Sequence, residues 1–296
     1  MERNHICVCI CTYRRITLLS RLLEALQGQL TRNLFTFSVV VVDNDFAESA
    51  KEVVEACKRN GELQVDYYLE PRKGIPFARN KAVENAKGNY LAFIDDDEIP
   101  AVHWLYDLYV ACHKYNADGV LGPVKPRFEV PPPDWIVKCR LFERPSYETG
   151  KILEWNNTRT GNVLIRKCII ETSQDLFNPE FKHSEDQEFF RRMAKKGHLF
   201  VWCDEAIVHE TQTVDRFRKT YFIRRALLRG NVSLRLHSKK KAAIAKSAIA
   251  FLAYTSALPI LFLTSQRLFL TYLIKDFDHL GRLIAAFGVD VQGYLA

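Results

Sequence analysis

Residues 89–100 read NYLAFIDDDEIP, an apolar run that meets four carboxylates in succession, Asp95, Asp96, Asp97 and Glu98. Like charges this dense repel one another, so a folded chain that keeps them together needs something to offset the repulsion. One or two acids would serve as a helix N-terminal cap, and a third would only add repulsion. A solvated loop would not need an apolar strand feeding it. A divalent cation is the third reading: Asp95 and Asp97, two apart at a strand end, can aim at one ion and leave its other positions to phosphate oxygens. Glu98 reads as the start of the next loop or helix. A second acidic pair, Glu185-Asp186, opens the run EDQEFFRRMAKKG and on its own reads as a helix cap. His209, alone in AIVHET, reads first as a structural histidine.

These clusters need a scaffold, and the first hundred residues supply a regular one. HICVCICTY, FSVVVVDND, LQVDYYLE and NYLAFID predict strands; RITLLSRLLEALQGQL, AESAKEVVEACKRNG and FARNKAVENAKG carry helical spacing, the last two closed by glycine. Such alternation predicts right-handed βαβ units and a mostly parallel sheet flanked by helices, with strands buried on both faces. Ligands of open parallel sheets bind beyond the carboxyl ends of the strands. Thr12-Tyr13-Arg14, Asp43-Asn44-Asp45 and Asp95-Asp96-Asp97 all fall there and should meet in space. Further on, RFEVPPPDWIVKCRLFERPSYETG is proline-rich and predicts a long surface excursion. RTGNVLIRKCII predicts a strand. Ser184 signals the cap of a helix from about Asp186 to Lys196 that stops at Gly197, and VWCDEAIVHET returns to the sheet.

The 296 residues, 48% hydrophobic and 26% charged, are ordinary for a globular chain and exclude a disordered class. The first residues run directly into a strand pattern rather than a secretory leader. With no export signal, the eight cysteines predict reduced thiols in a cytoplasmic protein. Cys7, Cys9 and Cys11 alternate along a strand, which suits core packing better than tetrahedral chelation. The net charge of +7 is local: residues 216–246 hold eleven Lys and Arg and no acid, and the remainder is net negative. Nucleic acid and the anionic face of a membrane both fit such a stretch. It abuts SAIAFLAYTSALPILFLTSQ, twenty uncharged residues, thirteen of them apolar, long enough to span a bilayer. RLFLTYLIKDFDHLGRLIAAFG then reads as an amphipathic helix. A helical hairpin packed on the main domain is the bland alternative; the basic flank favours membrane attachment, in-plane or re-entrant rather than spanning.

CTYRR at 11–15, VVVVDND at 39–45, GIPFARNKAVENAKGNYLAFIDDDEIP at 74–100, TGNVLIRK at 160–167 and EDQEFFRRMAKKG at 185–197 together resemble the inverting glycosyltransferases of family 2. The likeness covers about residues 5–215. The GIPFARN block and the hydrophobic C-terminal extension resemble exopolysaccharide glucosyltransferases of the succinoglycan type. The resemblance implies the GT-A fold, a Rossmann-like α/β sandwich, over 1–215, with a nucleotide-binding half (1–100) and an acceptor and catalytic half (101–215). A basic, hydrophobic, helical and membrane-associating extension would follow over 216–296. It implies transfer of a hexose, glucose first, from a UDP-sugar to a lipid-linked saccharide in bacterial surface or exopolysaccharide biosynthesis. The enzyme would sit on the cytoplasmic face of the inner membrane as a peripheral, monotopic or single-pass protein. Thr12, Tyr13, Arg14, Asp43, Asn44, Arg79, Asp95 and Asp96 would bind the donor. Asn44 departs from the Asp that many members carry. Asp95 and Asp97, with His209 completing the shell, would hold Mg²⁺ or Mn²⁺, Asp97 being the first choice. Asp186 would be the general base, with Glu185 beside it, and Trp155, Gly161 and Asn162 would shape the acceptor pocket.

A lipopolysaccharide or other surface-glycan transferase remains an alternative. A nucleotidyltransferase would want glycines after the first strand, which CTYRRITLL lacks. A nucleic-acid-binding protein would want more stacking than Tyr221 and Phe222 offer in the basic stretch, so no nucleic-acid partner is expected. A catalytically dead scaffold would not need both acidic clusters.

Overall fold

The computed structural model describes residues 3–170, 176–236 and 240–291. The expected alternation is present: β1 (Asn4–Thr12), α1 (Ile16–Gln27), β2 (Phe35–Asp43), α2 (Lys51–Asn60), β3 (Val65–Leu69), α3 (Ile75–Asn85) and β4 (Tyr90–Phe93) follow in order. After β5 (Glu98–Pro100) come α4 (Trp104–Lys114), β6 (Gly119–Leu121), β7 (Val124–Phe128), α5 (Asp134–Lys138), β8 (Val163–Arg166), α6 (Glu185–Lys195), β9 (Phe200–Trp202) and β10 (Val208–Gln212). Three long helices close the chain: α7 (Lys219–Leu236), α8 (Lys240–Thr264) and α9 (Gln266–Ala286).

A seven-stranded sheet has the order β3-β2-β1-β4-β8-β6-β9. Its pairs are parallel except around β8, which runs antiparallel to both β4 and β6. Strand alternation sorts the core. Ile6, Val8, Ile10, Val39 and Val41 pack on one face with α1 and α4, while Cys7, Cys9, Val40 and Val42 pack on the other with α3 and α6. All eight cysteines are free, and Cys7 and Cys9 serve as small core residues. A smaller sheet, β5-β10-β7, was not foreseen, because its strands are three to five residues long and carry no periodic signal. VWCDEAIVHET therefore divides, β9 joining the main sheet and β10 the small one. Glu98 opens β5 rather than a helix.

The chain forms two compact units, residues 1–127 with 144–211, and residues 128–143 with 212–296. The proline-rich segment is not a surface excursion alone. Ile136 and Phe142 are buried against Phe222, with Phe128, Trp135 and Phe217 around them, so aromatic burial ties the segment to the second unit. In that unit α7 and α9 touch backbone to backbone. A Cβ on Gly230 would collide with the Asp278 carbonyl oxygen, and one on Gly281 with that of Leu227. Asp278 also pairs with Arg229 and Arg282, at 2.7 Å each. The helix α8 contains Pro259 and stops at Ser265, which caps α9 by accepting from the Leu268 N–H. It is long and apolar enough to cross a membrane, and only 6% of its most apolar stretch is buried. Of the eleven basic residues of the 216–246 stretch, Lys239 lies outside the described residues.

Candidate active site

Parallel pairing sets Thr12 beside Asp43 and Asp43 beside Leu69, so the β1, β2 and β3 carboxyl ends form one rim. The three polar clusters meet on it. Thr12 Oγ1 donates to Asp96 Oδ2 at 2.8 Å, Asn44 N–H donates to the Thr12 carbonyl, and Arg14 makes a two-pronged contact with Asp45 at 3.0 and 3.1 Å.

Not every side chain on the rim faces outward. Asp43 is fully buried and accepts from the Asp45 and Ala50 N–H groups and the Tyr67 hydroxyl. Asn44 donates its amide to the Glu70 and Arg72 carbonyls and accepts from Gly74 N–H, stapling the loop before α3. In this structure Asp43 and Asn44 build the rim, their side chains engaged by backbone groups and, for Asp43, also by the Tyr67 hydroxyl. Tyr13 is 41% exposed, with Arg14 over its ring and Lys73 Nζ 6.0 Å from the centroid. An aromatic face bordered by cations thus marks the open edge.

The acidic run carries unequal burdens. Arg15 Nη1 donates to Asp96 Oδ1 at 2.9 Å and to Asp97 Oδ2 at 3.2 Å, and both carboxylates are almost wholly buried. Asp95 keeps half of its side chain exposed. Glu98 is buried and folds back to accept the Asp95 N–H on one oxygen, while its other oxygen has no hydrogen-bond partner. Gly161 leaves the space that these acids use: a Cβ there would stand 2.8 Å from Glu98 Oε1 and 3.1 Å from Asp95 Oδ2. Desolvation in this recess, reinforced by Asp97 and Asp96 and opposed by Arg79, pushes Asp95 up to about 6. Burial and then Asp95 push Glu98 well above the ordinary carboxylate range.

Arg79 joins this run to the second acidic pair. From the buried face of α3 its guanidinium donates to Glu185 at the start of α6 and approaches Asp95 at 3.6 Å. Burial acts against its charge, but Glu185, Asp95 and Asp186 outweigh it and hold Arg79 above its usual range. Glu185, also buried, is pushed up to about 7 by burial, against the pull of Arg79. Asp186 is partly exposed and accepts its neighbour Gln187's N–H at 2.7 Å. Ser184 does sit before α6, but with φ +59 and no side-chain cap bond, so the acids alone complement the helix N-terminus. Trp155 lies in a short 3₁₀ turn against α6, with Arg191 over its ring at 5.8 Å.

Two expected residues fall elsewhere. His209 pairs with Ile99 and Glu210 with Glu98 across the small sheet, so the two neighbours point to opposite faces. Burial, Lys125 and Arg127 hold His209 below its ordinary value, placing it among cations. Glu210 is the β10 residue on the acidic side, where it pairs with Arg144 at 2.5 Å. Asn162 is fully buried, accepts from Trp104 Nε1 and donates to the Pro123 and Ala206 carbonyls. Its side chain is a structural hub, unavailable to an acceptor. Arg159 was missed by sequence reasoning: burial and Arg144 lower it to about 10, while Glu98, Asp186 and Glu210 oppose this. Its only sequence signal was its place one residue before the TGNVLIRK strand block.

No three His, Cys, Asp or Glu side chains among the described residues form a metal cage. The donor set suits a hard cation shared with a ligand: Asp95 offers open carboxylate oxygens, whereas Asp97 is held inward by Arg15. Of the acids in the run, Asp95 is the one whose oxygens are open to a ligand.

Comparison with known proteins agrees with the geometry. The glycosyl transferase family 2 model matches residues 7–169. The succinoglycan biosynthesis protein ExoM of Rhizobium meliloti (strain 1021) is 30% identical over 249 residues, 81% of this chain and 77% of that protein. Among solved structures, the mannosyltransferase PcManGT from Pyrobaculum calidifontis, in complex with GDP-Man and Mn²⁺, superposes with a TM-score of 0.66 at 18% identity, covering 99% of this chain and 88% of that one. S. aureus TarS 1-349 in complex with UDP-GlcNAc gives 0.56 at 18% identity over 96% and 92%. Both likenesses show a shared GT-A fold. With its parallel sheet, its acid-lined rim and the family model matched across more than half its length, the chain belongs to glycosyl transferase family 2.

Proposed function

We propose that the protein is an inverting transferase that moves a hexose, glucose first, from a UDP-sugar to a lipid-linked saccharide during exopolysaccharide assembly. The observation that carries this is the Arg79 bridge, which sets the acidic run beside the N-terminus of α6. The relationship to ExoM, whose name places it in succinoglycan biosynthesis, supports the pathway class. The UDP-GlcNAc complex of TarS supports a nucleotide-sugar donor.

In this reading Tyr13 and Arg14 border the nucleotide, Thr12 fixes Asp96, and Asp95 faces the diphosphate. A Mg²⁺ or Mn²⁺ held by Asp95 and by diphosphate oxygens would neutralise charge on the leaving nucleotide; the Mn²⁺ complex of PcManGT supports such an ion. Asp186 takes the proton of the acceptor hydroxyl as that oxygen bonds to the anomeric carbon and the bond to UDP breaks opposite it. Glu185 does not face the acceptor; it holds Arg79. Trp155 offers a face for a sugar ring, and Gly161 keeps the floor open. The exposed apolar α8, with Lys240, Lys241 and Lys246 at its start, fits attachment to an anionic cytoplasmic membrane face.

The test is turnover of a UDP-sugar panel by the full chain with membranes supplying acceptor. UDP-glucose should be consumed, EDTA should stop transfer, and Mn²⁺ or Mg²⁺ should restore it. Asp186→Asn should lower kcat by about 10³-fold with donor affinity kept. Near-normal transfer by folded Asp186→Asn sinks the base assignment, and indifference to EDTA sinks the metal.

A further inference from the structure

The second unit contains a cavity of about 300 Å³ where the end of α7, the start of α8 and the end of α9 converge. Leu234, Ile244, Ala285 and Val289 supply apolar walls, and Arg235 and Lys240 bring two cations to it. Arg235 is already balanced by Asp290 at 2.6 Å, whereas Lys240 has no ion pair among the described residues. We infer that this cavity binds the phosphate headgroup and first methylenes of an anionic lipid.

Three observations favour that occupant. A free anion would need the cations but would gain nothing from four apolar residues. A nucleic acid would want stacking faces, and no aromatic side chain among the described residues lines the cavity. The position along α8 also fits. Ile249, Leu252, Ile260 and Leu263 are all at least 66% exposed, and nine residues of helix, about 14 Å at 1.5 Å per residue, separate Lys240 from Ile249. With the apolar length of α8 in hydrocarbon, Lys240 sits at headgroup depth, where a cation on an aliphatic stem is most favourable. Asn231 does not compete for the ligand. Its amide donates to the Gly281 and Val289 carbonyls and braces the wall. The site stands apart from glycosyl transfer, so its failure would leave the reading of the acidic site untouched.

The test uses the full chain and soluble dihexanoyl phosphatidic acid, with dihexanoyl phosphatidylcholine and inorganic phosphate as comparison ligands, measured calorimetrically below micelle formation. The acid should bind saturably, and Lys240→Gln should weaken it by about tenfold, the loss of one charge-assisted contact. Ala285→Phe, which fills the cavity without changing charge, should also abolish binding. Lys241→Gln removes the same charge one residue away, outside the lining, and should leave affinity within about twofold. Equal losses from Lys240→Gln and Lys241→Gln would reduce the effect to diffuse charge and overturn the inference. Inorganic phosphate binding as tightly as the lipid, or no saturable binding at all, would overturn it as well.

Discussion

Among the described residues Arg79 is the cation close to both Glu185 and Asp95, and its removal gives the sharpest test of how the site is held together. Its side chain and that of Glu185 are each less than a tenth exposed, so solvent cannot replace either partner. Arg79→Met therefore leaves a buried carboxylate without a counter-charge, which costs about 3–5 kcal/mol. Glu185→Leu leaves Arg79 with Asp95 at 3.6 Å and should cost less. The double variant removes the pair together. Buried pairs replaced by apolar groups are often neutral, so it should recover about 2 kcal/mol or more of the cost of the Arg79 change. Native-state hydrogen exchange of α3 and α6 amides in the full chain reads these local stabilities without assuming that two units unfold together. Sugar transfer should stay lost in the double variant, because Asp186 no longer has its α6 start anchored to the acidic run. If the two changes add within about 0.5 kcal/mol, they are uncoupled, and the bridge that supports the functional reading does not exist.

The same pair predicts a pH dependence. Glu185 rises from 4.5 to about 7 on folding, so the folded chain holds the proton more tightly; the contribution of Glu185 to stability is fully present below pH 4.5 and is lost as pH rises through about 7. The change attributable to Glu185 is at most about 3 kcal/mol, and Glu185→Gln should remove that slope from the α6 exchange profile while leaving other titrations in place. Gly161→Ala should fold, at a cost of about 1–3 kcal/mol from overpacking. Its methyl would press on Glu98 Oε1 and Asp95 Oδ2, so kcat/KM for the donor should drop by about tenfold or more in a steady-state transfer assay, and unchanged kinetics would show that the floor has room to spare.

Much of the scaffold was legible because burial writes itself into residue order. The run from His5 to Thr12 alternates between two cores, and that pattern is enough to place Thr12, Asp43 and the 95–97 run on one rim. The small sheet escaped because three to five residues cannot display a period. Without that sheet the facing of β10 is invisible in the sequence, where His209 stands out and Glu210 does not. A histidine is the commoner metal ligand, but a strand shows its neighbours to opposite sides, and pairing with β5 turned Glu210 toward the acids. The same limit applies to Asn162 and to Asp97. Their chemistry fits a ligand, yet what each side chain binds depends on Trp104 and Arg15, which lie 58 and 82 residues away. Composition cannot reveal such long-range saturation.

Arg15 gives that limit a mechanistic meaning. Its guanidinium spans Asp96 and Asp97 much as a bound cation would, and nearly half of its side chain remains open to solvent. One guanidinium offsets part of the charge on these two buried carboxylates, and Asp95 is the acid still open at the surface of the run. A run of four acids that looked self-repelling is thus divided into parts with separate counter-groups: Arg15 for Asp96 and Asp97, Arg79 for Asp95, and a backbone N–H for Glu98. The repulsion that remains still adds to burial in pushing Asp95 and Glu98 upward, and half-exposed Asp95 is where an incoming cation could relieve it.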